Sequence, residues 1–599
     1  MPNFAGYPKG YMSEVTGKVF DVKSFKRIMG YLSPYKFMVW ASVLLTVILS
    51  ALAPVNPWLT QYTLDNYVAK GNSHKLLLMA AILLAFLLLK GIIQFLNTYY
   101  TNLLGQNIIR DMRIALYKHI LNLRLQFYDQ TPIGTLVTRV ISDIETIADV
   151  FSEGLIVMIN QLLIVVVVVV IMFVKDASMA GLSLSVFPIL LFATYLFQKY
   201  TQMSFQDVRT QVARLNAFVQ EHITGMSVVQ IFNREDVELE RFKQINDAHK
   251  IANIKSIWYY SIFFPVVDLL SAIAIAAIVW WGGRGILYHQ ESFGTVVEFI
   301  MYINMLFIPI RQLADRFNTL QMGVVSSQRI FKVFDTESFV EDKGTLAPKA
   351  LKGQLSFKNV WFAYQDENWV LKDVSFDVKP GQTIAIVGAT GAGKSSIINI
   401  LGRYYEFQKG SILMDDADVR DYKIEAVRKN IAIVLQDVFL FSDTIANNIA
   451  LYNGNITPGQ MEAAAIAIGA DEFIKQLPGG YNYNVHERGT MLSVGQRQLI
   501  SFIRAYVQNP SILVLDEATS SIDTETERLI QKAITKLTEH RTSIIIAHRL
   551  ATIQMADKIL VLDHGQVMEE GTHQELLRKD GFYKKLYEIQ FEKQKKAVA

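Results

Sequence analysis

Cysteine is absent from the 599 residues. That excludes disulfides, thiolate zinc sites, iron–sulfur clusters and cysteine nucleophiles together. Charge is scarce too: Asp, Glu, Lys and Arg make up 19% of the chain, against about a quarter in an ordinary soluble protein. The 58 basic and 55 acidic residues leave a formal charge of +3, too little for a nucleic-acid footprint. There is no internal repeat and no low-complexity tract. Composition excludes disorder, collagen and a coiled-coil rod. Length alone would suggest about four small soluble domains, but an apolar content of 51% argues against them.

The apolar excess sits in the first half. A bilayer-spanning helix needs about 20 mostly apolar residues. Six stretches qualify, at about 37–59, 76–96, 155–174, 179–199, 257–283 and 294–313. The valine run 165–170 could be a buried strand in a soluble protein, but within a stretch of membrane length it reads as lipid-facing filler. Residues 1–36 are polar, with Lys9, Lys18, Lys23, Lys26 and Arg27 scattered among them. With a long first span behind it, that start does not read as a secretory signal. Residues 21–32 are expected to form an amphipathic elbow helix on the membrane surface.

Basic residues set the orientation. Arg110, Arg113, Lys118, Arg124 and Arg139 follow span two. Arg209, Arg214, Arg234, Arg241, Lys243, Lys250 and Lys255 follow span four. The other three loops hold only Lys70 and Lys75, Lys175, and Arg284. Both long basic loops are therefore expected in the cytoplasm, and with six spans so are both termini. Helical apolar spacing persists through those loops, so spans two to five should continue well beyond the bilayer. Each loop would present a turn to the cytosol, at 127–140 and at 225–236.

The texture changes near residue 335. Residues 336–351 read as a charged linker, and 591–599 as a charged tail. Between them, short β-rich runs alternate with helical ones, the pattern of an α/β domain with a mainly parallel sheet over 352–590. The fold expected is thus a membrane α-helical bundle over 1–335 followed by an α/β domain.

The apolar strand Thr383–Val387 runs into Gly388-Ala389-Thr390-Gly391-Ala392-Gly393-Lys394-Ser395, and a helical run opens at Ser396. Glycines let backbone N–H groups turn onto phosphate oxygens, and the helix N-terminus adds partial positive charge. Lys394 can neutralise β- and γ-phosphates, and the Ser395 hydroxyl can ligate Mg²⁺. A second strand, 511–515, ends in Asp516-Glu517. Asp516 can hold the metal through water, and Glu517 can orient an attacking water. Elsewhere such a pair would be an ordinary solvated turn. A third strand, 542–547, ends at His548, placed to hydrogen-bond a γ-phosphate. Gln436, after the run 431–435, suits a metal- and water-contacting hinge. The ring of Tyr364 can stack on adenine, or simply cover a sheet surface.

With Leu492-Ser493-Val494-Gly495-Gln496, these residues resemble the ATP-binding-cassette transporters. The whole chain, over about 20–590, looks like a bacterial half-transporter of the exporter type. The resemblance makes Tyr364 the A-loop aromatic and Gly388–Ser395 Walker A. Gln436 becomes the Q-loop, Leu492–Gln496 the signature, Asp516 and Glu517 Walker B and the catalytic carboxylate. Ser521-Ile522-Asp523 becomes the D-loop, His548 the switch and Glu487-Arg488-Gly489 the X-loop. Coupling helices would lie within 127–140 and 225–236. The implied activity is Mg²⁺-dependent ATP hydrolysis driving export across the cytoplasmic membrane by alternating access. ATP would be held between two head-to-tail cassettes, one Walker A facing the opposite signature. Val494 departs from the usual glycine at the third signature position, where a β-branched side chain could crowd the phosphate or restrict the backbone. An intact glutamate with a deviant signature resembles one half of a heterodimeric exporter. A homodimer tolerating Val494 is the alternative.

Ionisable residues inside spans are costly and often functional. Asp268 and Lys90 are the substrate candidates, expected to face a central cavity or each other. Phe263, Phe264, Tyr302 and Phe307 fit either an amphipathic-ligand surface or ordinary helix packing. The substrate expected is a drug or lipid. Rival readings are a cassette-gated channel or regulator and a homodimeric lipid flippase. A peptide exporter with a cysteine peptidase is excluded by the missing cysteine.

Overall fold

A computed structural model of the chain describes residues 22–150, 156–288, 290–516, 524–547 and 549–589. They fall into two compact units: the chain up to Leu121 with Pro132–Glu337, and Asn122–Thr131 with Ser338 onward. The division lies close to the composition change near 335. What composition does not reveal is that Asn122–Thr131 belongs with the second unit.

In the first unit a short helix, Val22–Gly30, occupies the expected elbow, of which Asp21 lies outside the described residues. Among the described residues, five helical stretches are long and apolar enough to cross a membrane: Ser33–Val68, Ser73–Leu121, Ile156–Lys175, Ala177–Thr224 and Glu235–Leu287. A sixth apolar stretch, Phe293–Pro309, opens the helix Phe293–Phe334. Leu155, read as the start of span three, lies outside the described residues. The stretch expected at 37–59 is not one helix. Lys36–Leu52 ends and Val55–Thr63 begins across Ala53-Pro54, because proline offers no N–H to continue the ladder. The stretch at 179–199 is likewise divided, between Ala177–Leu184 and Phe187–Thr224, with Pro188 in the first turn of the second helix.

The long helices overrun any bilayer. Glu235–Leu287 has 53 residues, roughly 80 Å at the helical rise, against a hydrocarbon core of about 30 Å. Arg110, Arg113 and Lys118 therefore stand on Ser73–Leu121 itself, and Arg241, Lys243, Lys250 and Lys255 on Glu235–Leu287, rather than in loops.

Leu77, Leu88 and Phe95 on Ser73–Leu121 are more than half exposed, a face that water would penalise and hydrocarbon does not. The packed interior of the bundle is aromatic and aliphatic, centred on Val168, Met172, Leu190, Val267 and Phe299. Phe197 stacks on Phe263 with centroids 4.0 Å apart. Phe263, Tyr302 and Phe307 are buried in this core, so the structure assigns them to helix packing. Of the four aromatics considered for a ligand surface, only Phe264 is exposed.

A polar junction ties three apolar stretches. Glu298 is fully buried, accepts from the Tyr302 hydroxyl at 2.7 Å and lies 3.5 Å from Lys175 Nζ. Lys175 Nζ also donates to Gln61 Oε1 at 2.8 Å.

The second unit contains two sheets. β1 (Leu355–Ala363), β2 (Trp369–Val378), β4 (Lys409–Met414) and β5 (Ala417–Asp418) form an antiparallel sheet in the order β2-β1-β4-β5. β3 (Thr383–Val387), β6 (Ile431–Val434), β7 (Ile512–Asp516), β8 (Thr542–Ile546), β9 (Lys558–Asp563) and β10 (Gln566–Gly571) form a second in the order β10-β9-β3-β8-β7-β6. Only β10 runs antiparallel there. Its parallel strands are near-continuous Ile, Val and Leu, as sheets covered on both faces require.

Candidate nucleotide site

Because β3, β6, β7 and β8 are parallel neighbours, their carboxyl ends share one edge. In open α/β sheets that edge is where ligands bind. Lys394 and Ser395 follow β3, Asp516 closes β7, and Gln436 follows β6 and is exposed. His548, after β8, lies outside the described residues, as do Glu517 and the Ser521-Ile522-Asp523 run.

The loop after β3 has the geometry its glycines permit. Gly393 has φ of 99° and caps the helix Lys394–Leu401. A Cβ there would stand 2.7 Å from Leu371 Cδ2, so both conformation and space demand glycine. Lys394 is buried and donates to the carbonyls of Gly388 at 2.8 Å and Ala389 at 3.0 Å. Burial pulls its ammonium below the ordinary lysine range, and the Asp516 carboxylate opposes that shift. Ser395 Oγ donates to Asp516 at 3.4 Å. A hydroxyl beside a carboxylate is the hard oxygen pair that suits Mg²⁺, which keeps most of its shell for water and phosphate.

Tyr364 follows β1. Its hydroxyl lies 3.1 Å from Ser396 Oγ and accepts from Asn399 Nδ2 at 3.0 Å, both on the helix Lys394–Leu401. The expected platform residue is thus tied to the helix that opens at the phosphate loop.

The helix Val494–Val507 begins with a reciprocal cap. Ser493 Oγ accepts from Gln496 N at 3.2 Å, and Gln496 Oε1 accepts from Ser493 N at 2.9 Å. Ser493 therefore keeps its hydroxyl proton for another acceptor. The N–H groups of Val494 and Gly495, in the first turn, have no intrahelical partner. Val494 is the first helical residue, does not have positive φ and is 52% exposed. Valine is therefore under no left-handed strain there, and its side chain stands at the helix tip.

The Glu487–Gly489 turn is strained at Arg488, with φ of 53°, whereas Gly489 takes φ of 68° freely. Arg497 Nη1 donates to Leu492 O at 2.9 Å and backs the loop between that turn and the signature. Sequence reasoning passed over Arg497, and also over Gln126, Asp129 and Tyr405. Gln126 donates to the Tyr364 carbonyl at 3.2 Å, and the Tyr405 hydroxyl donates to Asp129. Gln126 falls just outside the expected 127–140 and Asp129 inside it, while no local pattern marks Arg497 or Tyr405.

Lys90 lies half-buried on Ser73–Leu121. Asp268 is exposed on Glu235–Leu287, beside the buried Val267.

Comparison with known proteins places these features. The description "ABC transporter transmembrane region" matches residues 39–310, and "ABC transporter" matches 371–520. An uncharacterised ABC transporter ATP-binding protein of Bacillus subtilis, YknV, is 36% identical over 96% of this chain and 96% of its own. The "Probable multidrug resistance ABC transporter ATP-binding/permease protein YheH" of Bacillus subtilis is 35% identical over 83% of this chain and 74% of its own. An ATP-dependent lipid A-core flippase of Haemophilus influenzae is 34% identical over 95% of this chain and 97% of its own.

Proposed function

The chain belongs to the ABC transporter family, and from that premise we propose that it is one half of an exporter moving amphipathic compounds, drugs or lipids, away from the cytoplasmic side. It is a multi-pass membrane protein and an ATP-hydrolysing translocase. One observation carries the exporter reading: a bundle of membrane-length helices and a phosphate-binding α/β unit share a single chain. The names of two relatives, one multidrug and one lipid-flipping, support the substrate class.

The residues divide the chemistry as follows. The Lys394 ammonium, held on two loop carbonyls, exchanges them for β- and γ-phosphate oxygens. Its burial strengthens that attraction, because little water competes. Ser395, Asp516 and Gln436 would hold Mg²⁺, which neutralises charge building up on the phosphates. The backbone from Gly388 through Thr390, Gly391, Ala392 and Gly393 cradles the phosphates, with Ser396 beside it. Tyr364 stacks on adenine. Glu517 orients the attacking water and His548 holds the γ-phosphate. Ser493, Gly495 and Gln496 of one cassette, with its Asp523, close over the ATP of the other. The free Ser493 proton and the unpaired N–H groups of that helix support this role.

The working protein is a dimer of half-transporters, both termini cytoplasmic, and we favour a heterodimer. Val494 protrudes from the tip of the signature helix, where it would crowd a phosphate held by the facing cassette. The partner's signature then completes the site built on Lys394 and Glu517. Coupling helices lie within 127–140 and 225–236, the second on Met226–Ile231. The exposed Val228, Ile231 and Phe232 support the second, as an apolar face suited to docking. Asp268 and Lys90 belong to the substrate path.

Reconstitution tests the reading. Proteoliposomes holding this chain, alone or with a second half-transporter, should translocate a fluorescent lipid or cationic dye against its gradient only with ATP. Lys394→Ala should abolish the flux. ATP-gated movement that only ever runs down the gradient would replace the exporter with a channel.

A further inference from the structure

Asn122–Thr131 leaves the membrane unit at Leu121 and rejoins it at Pro132, yet it packs with the cassette unit. Its first residues are sewn to the linker. Leu123 bridges Phe339, and Arg124 N donates to Ser338 O at 2.8 Å. Its middle residues reach Tyr364 by two routes. Gln126 Nε2 donates to the Tyr364 carbonyl at 3.2 Å. Asp129 accepts from the hydroxyl of Tyr405, whose buried ring meets the Tyr364 ring edge-on, with centroids 4.9 Å apart at 86°. Burial and the Asp129 carboxylate hold the Tyr405 phenol well above its ordinary range, so it remains a donor.

Tyr364 is therefore held at its carbonyl, at its ring, against Tyr405 and Phe362, and at its hydroxyl. The hydroxyl is tied to the helix behind the phosphate loop through Ser396 and Asn399. The carbonyl and the Tyr405 contact lead to Asn122–Thr131. We infer that Gln126 and Asp129, the latter through Tyr405, are positioning residues for the nucleotide base: they set the Tyr364 ring where adenine stacks. The inference rests on the reading of Tyr364 as the adenine platform. Because coupling is reciprocal, a base stacked on Tyr364 also biases the chain segment that joins two membrane helices.

The test separates base from phosphate. ATP and inorganic tripolyphosphate are titrated against the full chain in nanodiscs, since tripolyphosphate engages the phosphate loop but offers no base. Gln126→Ala and Asp129→Ala should each weaken ATP binding by about three- to ten-fold, the scale of a partly lost base stack. Tripolyphosphate binding should stay within about two-fold. Tyr364→Ala should weaken ATP similarly, and adding Asp129→Ala to it should cost nothing more, because both changes act on one contact. Tyr405→Phe keeps the ring, loses the tie and should reproduce Asp129→Ala even if that variant folds poorly. If Tyr364→Ala weakens ATP while Gln126→Ala, Asp129→Ala and Tyr405→Phe do not, the inference fails and the platform reading stands. If Tyr364→Ala leaves ATP binding unchanged, the platform reading itself fails. Equal loss of ATP and tripolyphosphate would reduce Gln126 and Asp129 to general supports of the fold.

Discussion

Ser395 Oγ stands 3.4 Å from a carboxylate oxygen of Asp516, 121 residues further along the chain. Parallel packing of β3 and β7 on either side of β8 brings the two together. If they share a metal, Ser395→Ala and Asp516→Asn should each raise the Mg²⁺ concentration needed for half-maximal ATP turnover by about ten-fold or more. ATP binding without Mg²⁺ should change far less. An unaltered Mg²⁺ requirement in both variants would remove these residues from the metal site.

Lys394 yields a pH prediction. Burial lowers its pKa below that of an ordinary lysine, with Asp516 opposing. The charged form binds phosphate, so the free site takes up a proton on binding when the pH is near that pKa. ATP affinity should therefore fall as pH climbs towards the ordinary lysine value, sooner than an exposed lysine would allow. Equilibrium binding between about pH 7 and 10 measures this, with Lys394→Arg as the control that cannot deprotonate. Equal slopes for the two proteins would refute it.

Val494 bears on the dimer. Glycine at this exposed first helical position should cost well under about 1 kcal/mol of helix stability, so Val494→Gly should fold normally. The chain alone should be nearly inactive as an ATPase, and Val494→Gly should raise that activity by mending the signature its own copy must supply. With the true partner present, activity should be high and vanish in Glu517→Gln. A wild-type homodimer already turning over ATP, indifferent to Val494→Gly, would argue for the flippase-like alternative.

The junction at Glu298 makes a stability prediction. Glu298 is fully buried and Lys175 partly exposed, so removing the lysine strands a buried carboxylate, at a cost of up to the value for breaking a fully buried pair, about 3–5 kcal/mol. Lys175→Met should therefore lower the melting temperature in nanodiscs. Adding Glu298→Gln should restore part of it, because the stranded charge is then gone. Additive losses would mean that Lys175 and Glu298 do not act as a pair.

Asp268, exposed on its helix, is proposed to recruit cationic substrates. Asp268→Asn should cut transport of a cationic dye several-fold and leave a neutral lipid analogue unchanged, the difference being the lost Coulomb attraction of about 1 kcal/mol or more in a partly solvated site. Matching losses for both substrates would sink the proposal.

Much of the architecture was legible because its causes are local. Twenty apolar residues in a row specify a membrane helix whatever surrounds them. A glycine-rich loop between an apolar strand and a helix is likewise contiguous, and the structure presents it with Lys394 turned inward and buried. Proline marks the breaks in the first and fourth spans, but apolar length masked them, since hydropathy counts side chains and ignores missing N–H groups. The four aromatics show a similar limit: ring chemistry is the same in a core and on a ligand surface, so only burial separated Tyr302 from Phe264.

By itself, then, the chain's residue order determined the apolar helices, the α/β unit and the phosphate loop, because each depends on neighbours within one or two turns or strands. Tertiary structure alone decided which distant groups meet. Gln126 reaches Tyr364 and Asp129 reaches Tyr405 across more than 200 residues of chain, and Lys175 meets Glu298 across the bundle. Hydrogen bonds and ion pairs act over a few ångströms, and packing, which no periodicity records, sets which groups come that close.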